Sequence, residues 1–191
     1  MSRRWLLLLC LIPAALGTAS PSRAASAAAE RSGWTLGFHV GPGKLYMDGD
    51  SLQRETGVMT DLRFDYFVTP AVAMGFGARS FSAADSGLTR SVKMVTVNGT
   101  WYPTSLGFNV RGGFGVATLT EEFLARNPFT GAGNRVALED NGFATVVGFG
   151  YDHSLTGAFG LGLEVEYAHA GLSDGGMANL LSATASLNWN R

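Results

Sequence analysis

The residues able to do chemistry in this chain are charged side chains set two apart, Asp61-x-Arg63-x-Asp65 and Glu164-x-Glu166, together with Arg79, Arg111 and Asp152, which stand singly among glycines and apolar residues. A spacing of two places both members of a pair on one face of an extended strand. Three arginines and five carboxylates gathered on one side could do one of three things. They could form an ion-pair network that plugs an interior, because a buried charge without a partner is costly. They could line an ion pathway, if one pair opens and admits water. Two carboxylates could also act as general acid and base, given a substrate between them. His39, His153 and His169 are scattered and lack carboxylates at metal-ligand spacing, so neither a metal nor a cofactor is expected. The Gly-x-Gly repeats do not open helices and are therefore not phosphate loops, and the sequon Asn98-Gly99-Thr100 falls within a strand.

The elements that would position these charges are strands. Alternation of apolar and polar residues predicts eight of them, at about 32–46, 55–68, 72–81, 90–102, 108–120, 143–152, 159–167 and 179–190. In the second, Val58, Leu62, Phe64, Tyr66 and Val68 oppose Asp61, Arg63 and Asp65. In the seventh, Phe159, Leu161, Leu163, Val165 and Tyr167 oppose Gly160, Gly162, Glu164 and Glu166. The fourth is ambiguous: Val92, Met94 and Tyr102 share one parity, and Lys93, Val95, Val97 and Trp101 the other. Short turns are expected at Thr69-Pro70-Ala71, 103–107 and 154–158, since proline fixes φ and cannot donate to a ladder. Longer loops are expected at 47–54, between the third and fourth strands, at 121–141 and at 171–178. This alternation of long and short connections is what an even-stranded antiparallel barrel requires when both its termini lie on the periplasmic side.

Two barrel types share such a pattern. A soluble lipocalin-type barrel hides its large apolar side chains inside and shows charge outside, whereas a membrane barrel does the reverse. Only 15% of the residues are charged, and aromatics gather near strand ends, which favours the membrane barrel. Each strand is long enough to cross a hydrocarbon layer, and closure leaves no backbone group unpaired in lipid. Trp34, Trp101, Tyr102, Tyr151, Tyr167 and Trp189 are the expected interfacial aromatics.

Residues 1–27 read as a cleavable export signal: Ser2-Arg3-Arg4 is basic, Trp5 to Leu16 is apolar, and small residues from Ala24 to Ala29 offer cleavage sites. The apolar run falls well short of the roughly twenty residues a spanning helix needs. Arg3-Arg4 invites twin-arginine export, but that route carries folded cargo and a barrel closes only in its membrane. Cys10 invites lipid attachment, but the bulky Leu9 precedes it. Residues 28–191 then form one domain. The precursor carries a formal net charge of −1, and Arg3, Arg4 and Arg23 leave with the signal, so the mature chain is more acidic still and nucleic acid is not an expected partner. Cys10 is the sole cysteine, so neither disulfides nor thiolate metal sites contribute to the mature domain.

With these features the chain resembles the small eight-stranded outer-membrane barrel superfamily that includes the OmpA transmembrane domain, OmpX and OmpW. The resemblance rests on the topology, on Gly75-Phe76-Gly77, Gly113-Phe114-Gly115 and Gly148-Phe149-Gly150, on Trp101-Tyr102-Pro103, and on the closing Leu187-Asn188-Trp189. It implies a closed antiparallel transmembrane β-barrel, monomeric, in a bacterial outer membrane. Outer-membrane lipids and, during biogenesis, the insertion machinery would be its partners. Family members commonly end on an aromatic; here Asn190 and Arg191 follow Trp189. The resemblance also implies that the luminal charges plug the interior. Lipid A deacylases share this architecture, and Tyr167-Ala168-His169-Ala170-Gly171-Leu172 is superficially similar to their active segment. Matching the Ala-Gly-Leu portions puts the catalytic His on Glu166 and the Ser on Ala168, so the nucleophile is missing.

The expected role is therefore non-enzymatic, structural or surface-interacting, with a small pore as the alternative and a lipid-modifying enzyme third. A partner contact is expected on the third long loop, which carries Glu121, Glu122, Arg126, Phe129, Arg135, Glu139 and Asp140, because loops vary while the barrel holds them.

Overall fold

The computed structural model describes residues 31–47, 53–85, 88–126, 133–156 and 158–191; the expected export signal, residues 1–27, lies outside them, as do Phe129 and the side chain of Arg126. Eight strands follow in order: β1 (Gly33–Met47), β2 (Gln53–Thr69), β3 (Val72–Asp85), β4 (Leu88–Trp101), β5 (Phe108–Arg126), β6 (Gly133–Ser154), β7 (Phe159–Leu172) and β8 (Met177–Asn190). Each pairs antiparallel with its neighbours in sequence, and β8 pairs with β1 to close the barrel. Trp34 and Arg191 exchange two backbone hydrogen bonds of 2.9 Å across that seam. This end of the barrel, which also carries the short connections after β2, β4 and β6, is termed terminal; the opposite end is distal.

The registers define the shape. A row of cross-strand partners leaves β1 at Leu36, passes Phe64, Phe76, Val97, Phe114, Thr145, His169 and Asn179, and re-enters β1 at Tyr46, a stagger of ten residues. With a rise of about 3.3 Å and a strand spacing of about 4.8 Å, that stagger inclines the strands by about 40° to the barrel axis.

Large apolar side chains cover the outside. Phe38, Leu62, Phe76, Phe114, Phe149 and Val165 are among the exposed ones, and Phe149 keeps 63% of its surface open. A contiguous apolar surface of this size is untenable in water, which rules out the soluble barrel. It suits a membrane crossed by strands. At its terminal edge Trp34 meets Trp189 edge-on at 5.1 Å and Phe108 meets Tyr151 at 5.0 Å. On β3–β6 the outward apolar residues Ala78, Val95, Val116 and Phe143 are each followed distally by a polar one, Ser80, Lys93, Thr118 and Asn141.

Two expectations are corrected and one open point, the facing of the fourth strand, is decided. The first concerns the long loops. Strands continue well past the apolar band: Glu121 pairs with Leu138, Glu122 with Ala137 and Arg126 with Gly133, so most of 121–141 is a protruding β5–β6 hairpin. Asp85 likewise pairs with Leu88. Beyond the membrane both faces of a ladder are hydrated, so charged residues interrupt the apolar alternation without interrupting the ladder. The second concerns the fourth strand, which turns Lys93, Val95, Val97 and Trp101 outward and Val92 and Met94 inward. The third concerns Tyr102, which stands just past β4 and points inward, with its hydroxyl donating to Asp152 at 3.0 Å, rather than joining the interfacial ring.

The interior is divided. In the distal half Leu45, Met59, Phe81, Val92, Met94, Leu119, Val146 and Leu180 pack with several alanines into an apolar core. Phe81, 0% exposed, fills the middle of it. Its ring lies where Gly43 and Gly57 lack side chains, and a Cβ at those positions would come within 3.1 and 2.8 Å of it. The luminal charges expected to plug the interior do not extend into this half, which apolar side chains fill. Val92 and Met94 belong to this inner core, while Val95 and Val97 face outward, so both parities of β4 read as apolar.

Candidate functional site

The terminal half of the lumen holds the charges. β2 delivers Asp61, Arg63 and Asp65 on alternate positions; β3 adds Arg79, β5 Arg111, and β7 Glu164 and Glu166, and all of these are buried. Glycines on neighbouring strands leave space for them: a Cβ on Gly148 would stand 2.8 Å from Glu164 Oε1.

Arg63 is the hub. Its Nε donates to Asp61, one terminal nitrogen donates to Glu164, and Nη2 donates to Glu166 at 2.9 Å. Arg79 bridges the same cluster from the other side, with Nε 3.1 Å from Glu166 Oε1 and 3.3 Å from Asp61 Oδ2, while its Nη1 donates to Thr96 Oγ1 at 3.2 Å. Thr96 in turn donates to Asn98 Oδ1 at 3.0 Å. Arg111 donates to Asp65 at 3.1 Å and lies 3.8 Å from Glu164 Oε1. Guanidinium forks meeting several carboxylates at once are the strong form of a buried charge pair, because one cation satisfies several anions in fixed geometry.

Asp152 does not join this set. Neutral donors hold it: Tyr102 at 3.0 Å, Asn109 at 2.8 Å and Asn188 at 3.0 Å. The expectation that arginines bridge all five carboxylates is corrected there; Asp152 sits near the terminal mouth, where amides and a phenol reach it and the three arginines do not. The sequence reading missed Tyr102, Asn109 and Asn188 as its partners, although their parity places them inside. It also left His39 without a role. His39 Nδ1 lies 3.7 Å from Glu164 Oε2. Several buried polar atoms, among them Asp61 Oδ1, Asp65 Oδ1, Arg111 Nη1 and Glu164 Oε1, have no hydrogen-bond partner among the described residues.

A second ion-pair group caps the distal mouth. Arg90 on β4 donates to Glu55 on β2 and to Glu121 on β5. Glu121, expected on a free loop, is thus engaged in the barrel wall. Asp140 is engaged too, accepting from the hydroxyl and backbone N–H of Ser173. Glu122, Arg135 and Glu139 remain exposed on the protruding hairpin. Its other face carries Phe123, 37% exposed, and Leu138, 55% exposed, on paired strands above the mouth.

The residues of the deacylase-like segment are separated by the pleat. Glu166 and Ala168 point inward, and His169 points outward, where its Nδ1 lies 2.8 Å from Asn179 Oδ1 and Tyr167 donates to the same oxygen at 2.7 Å. Among the described residues no group of three or more His, Cys, Asp or Glu is placed to hold a metal ion.

No protein-family model matches the sequence, and no curated protein matches it. Solved structures do match. Ail, the attachment invasion locus protein of Yersinia pestis, superposes with a TM-score of 0.61 at 12% identity, over 82% of this chain and 99% of that one. A second Ail structure, in complex with the heparin analogue sucrose octasulfate, gives 0.59 at 12% identity over the same shares. Neisserial surface protein A gives 0.56 at 10% identity, over 84% of this chain and 98% of that one. At these identities the likeness is one of fold, and it spans nearly the whole of each neighbour. By its register, its apolar exterior and these neighbours, the chain has the fold of the small eight-stranded outer-membrane barrels.

Proposed function

We propose that this protein is a non-enzymatic bacterial outer-membrane barrel, exported by its N-terminal signal, that presents the β5–β6 hairpin outside the cell to an extracellular partner. The observation that carries this reading is the filling of the bore in three layers. The arginine–carboxylate network occupies the terminal half, the apolar core around Phe81 the distal half, and the Arg90 ion pairs the mouth. A stoppered barrel serves as a pedestal, and the hairpin is the part that stands clear of it. The terminal end is read as periplasmic because it carries the short turns. Ail, which shares the fold, has been solved with a heparin analogue, and that supports the choice of a surface role. The barrel is read as a monomer that needs no cofactor.

Two measurements test it: planar-bilayer conductance of the refolded protein, and adhesion to host cells or matrix by bacteria displaying the protein with and without residues 122–139. Silence in the bilayer with adhesion lost on deletion is the expected result. Stable conductance steps would replace this reading with a small pore, which the unpartnered polar atoms of the terminal half favour. Unchanged adhesion after deletion would remove the hairpin from the mechanism.

A further inference from the structure

The apolar band is not smooth. On its outer face between β1 and β4 lies a notch of about 300 Å³. Its floor is Ala78 on β3, whose methyl stands between its larger cross-strand partners Leu62 and Val95. Phe38 closes the terminal end. Toward the distal end the lining becomes polar: Ser80 and Thr60 bring hydroxyls, and Lys93 stands beside Ser80 on the rim. Lys93 lies eight residues distal of Trp101 on β4, about 20 Å higher along the axis at the strand tilt given above. That is the height at which an apolar band of about 25 Å gives way to headgroups.

Lys93 has no carboxylate beside it. Its cross-strand neighbours on the outer face are Ser80 and Thr118, and among the described residues no ion pair includes it. An ammonium at the hydrocarbon boundary extends toward the headgroup layer, where lipid phosphates attract it and no protein carboxylate competes. The surrounding solvent is lipid, so the notch is filled by hydrocarbon. The order of its lining, apolar at the bottom, hydroxyl in the middle and cationic at the rim, is the order of groups in an acyl lipid whose headgroup is a phosphate.

We propose that this notch binds one phosphate-bearing acyl lipid of the leaflet on the distal side, with an acyl chain lying over Ala78, its ester or amide linkage at Ser80 and Thr60, and its phosphate on Lys93. The site faces the membrane and is separate from the hairpin contact. It rests on the outer-membrane reading only for which leaflet supplies the lipid, and density fractionation of cell membranes tests that reading independently.

The experiment is native mass spectrometry of the refolded protein in mild detergent, titrated with bis-phosphorylated lipid A, with the same lipid after dephosphorylation, and with inorganic phosphate. The expected result is one retained phosphorylated lipid per barrel, at least tenfold less retention of the dephosphorylated form, and none of inorganic phosphate. Lys93→Gln should lower retention about tenfold. Ala78→Leu, which fills the notch and leaves Lys93 in place, should lower it as much, and Ser80→Leu offers the same test if Ala78→Leu fails to show heat-modifiable migration. Lys44→Gln, at similar height on β1, should leave it unchanged. Wild-type retention by the Lys93 or Ala78 variant, equal binding of the dephosphorylated lipid, or a two-copy protein peak in place of the lipid adduct would each overturn the proposal.

Discussion

The two halves of the lumen fill the same bore by opposite means. The distal half uses Phe81, Leu45, Met59, Met94 and Leu180, whose attraction is non-directional and grows with the apolar area they bury. The terminal half uses directional bonds among Arg63, Arg79, Asp61, Glu164 and Glu166, each of which matters only if its partner is in place. The difference teaches which half seals and which half specifies. An apolar stopper tolerates repacking and excludes water without exact alignment. A charge network fixes the register of the strands that carry it, β2, β3, β5 and β7, because a slip of one residue would turn its members into the lipid.

The largest break in that comparison should come from Arg63→Met. It leaves Asp61 and Glu166 with Arg79 as their one cation and Glu164 with the more distant Arg111, and loss of one partner from a buried network costs about 3–5 kcal/mol. The urea midpoint of heat-modifiable migration should fall steeply, while the bilayer stays silent because the apolar half is untouched. Phe81→Ala should cost about 3 kcal/mol through the cavity it leaves. Combined with Met94→Ala it should give conductance steps that Arg63→Met alone does not, since it opens the half that seals. Asp152→Asn should cost only about 1 kcal/mol, because its partners Tyr102, Asn109 and Asn188 are neutral and no arginine is orphaned; a loss matching that of Arg63→Met would place Asp152 inside the network after all. The smallest effect should belong to Arg90→Gln at the distal mouth. Its ion pairs stand near water and are worth about 1 kcal/mol or less, and the difference from wild type should shrink when urea unfolding is repeated in high salt.

The sequence shows the barrel most clearly where lipid imposes a rule. Phe159 to Tyr167 on β7 alternates without a break, and Phe108 to Val116 on β5 with Gly112 as its one interruption, because one face is in hydrocarbon and the other is not. Outside the band that constraint lapses, so the extensions of β5 and β6 past Thr120 and before Phe143 read as loop. On β4 the difficulty is of another kind. Val92 and Met94 inside, and Val95 and Val97 outside, are apolar for different reasons, one facing the core and the other the membrane. Among the charges, parity alone puts Arg63 and Glu166 on the inner face, but pairing depends on height along the axis, which the stagger sets. That is why the hub at Arg63 and the isolation of Asp152 become visible only once the registers are known.

The seam between Trp34 and Arg191 sets the timing of assembly. Because β1 finds its second partner only in β8, almost the full length of the chain must be present before the first strand loses its open edge. A partly inserted barrel would expose unpaired amides to lipid at two places, a state too costly to dwell in. Closure is therefore a single concerted event, with the last strand acting as the latch.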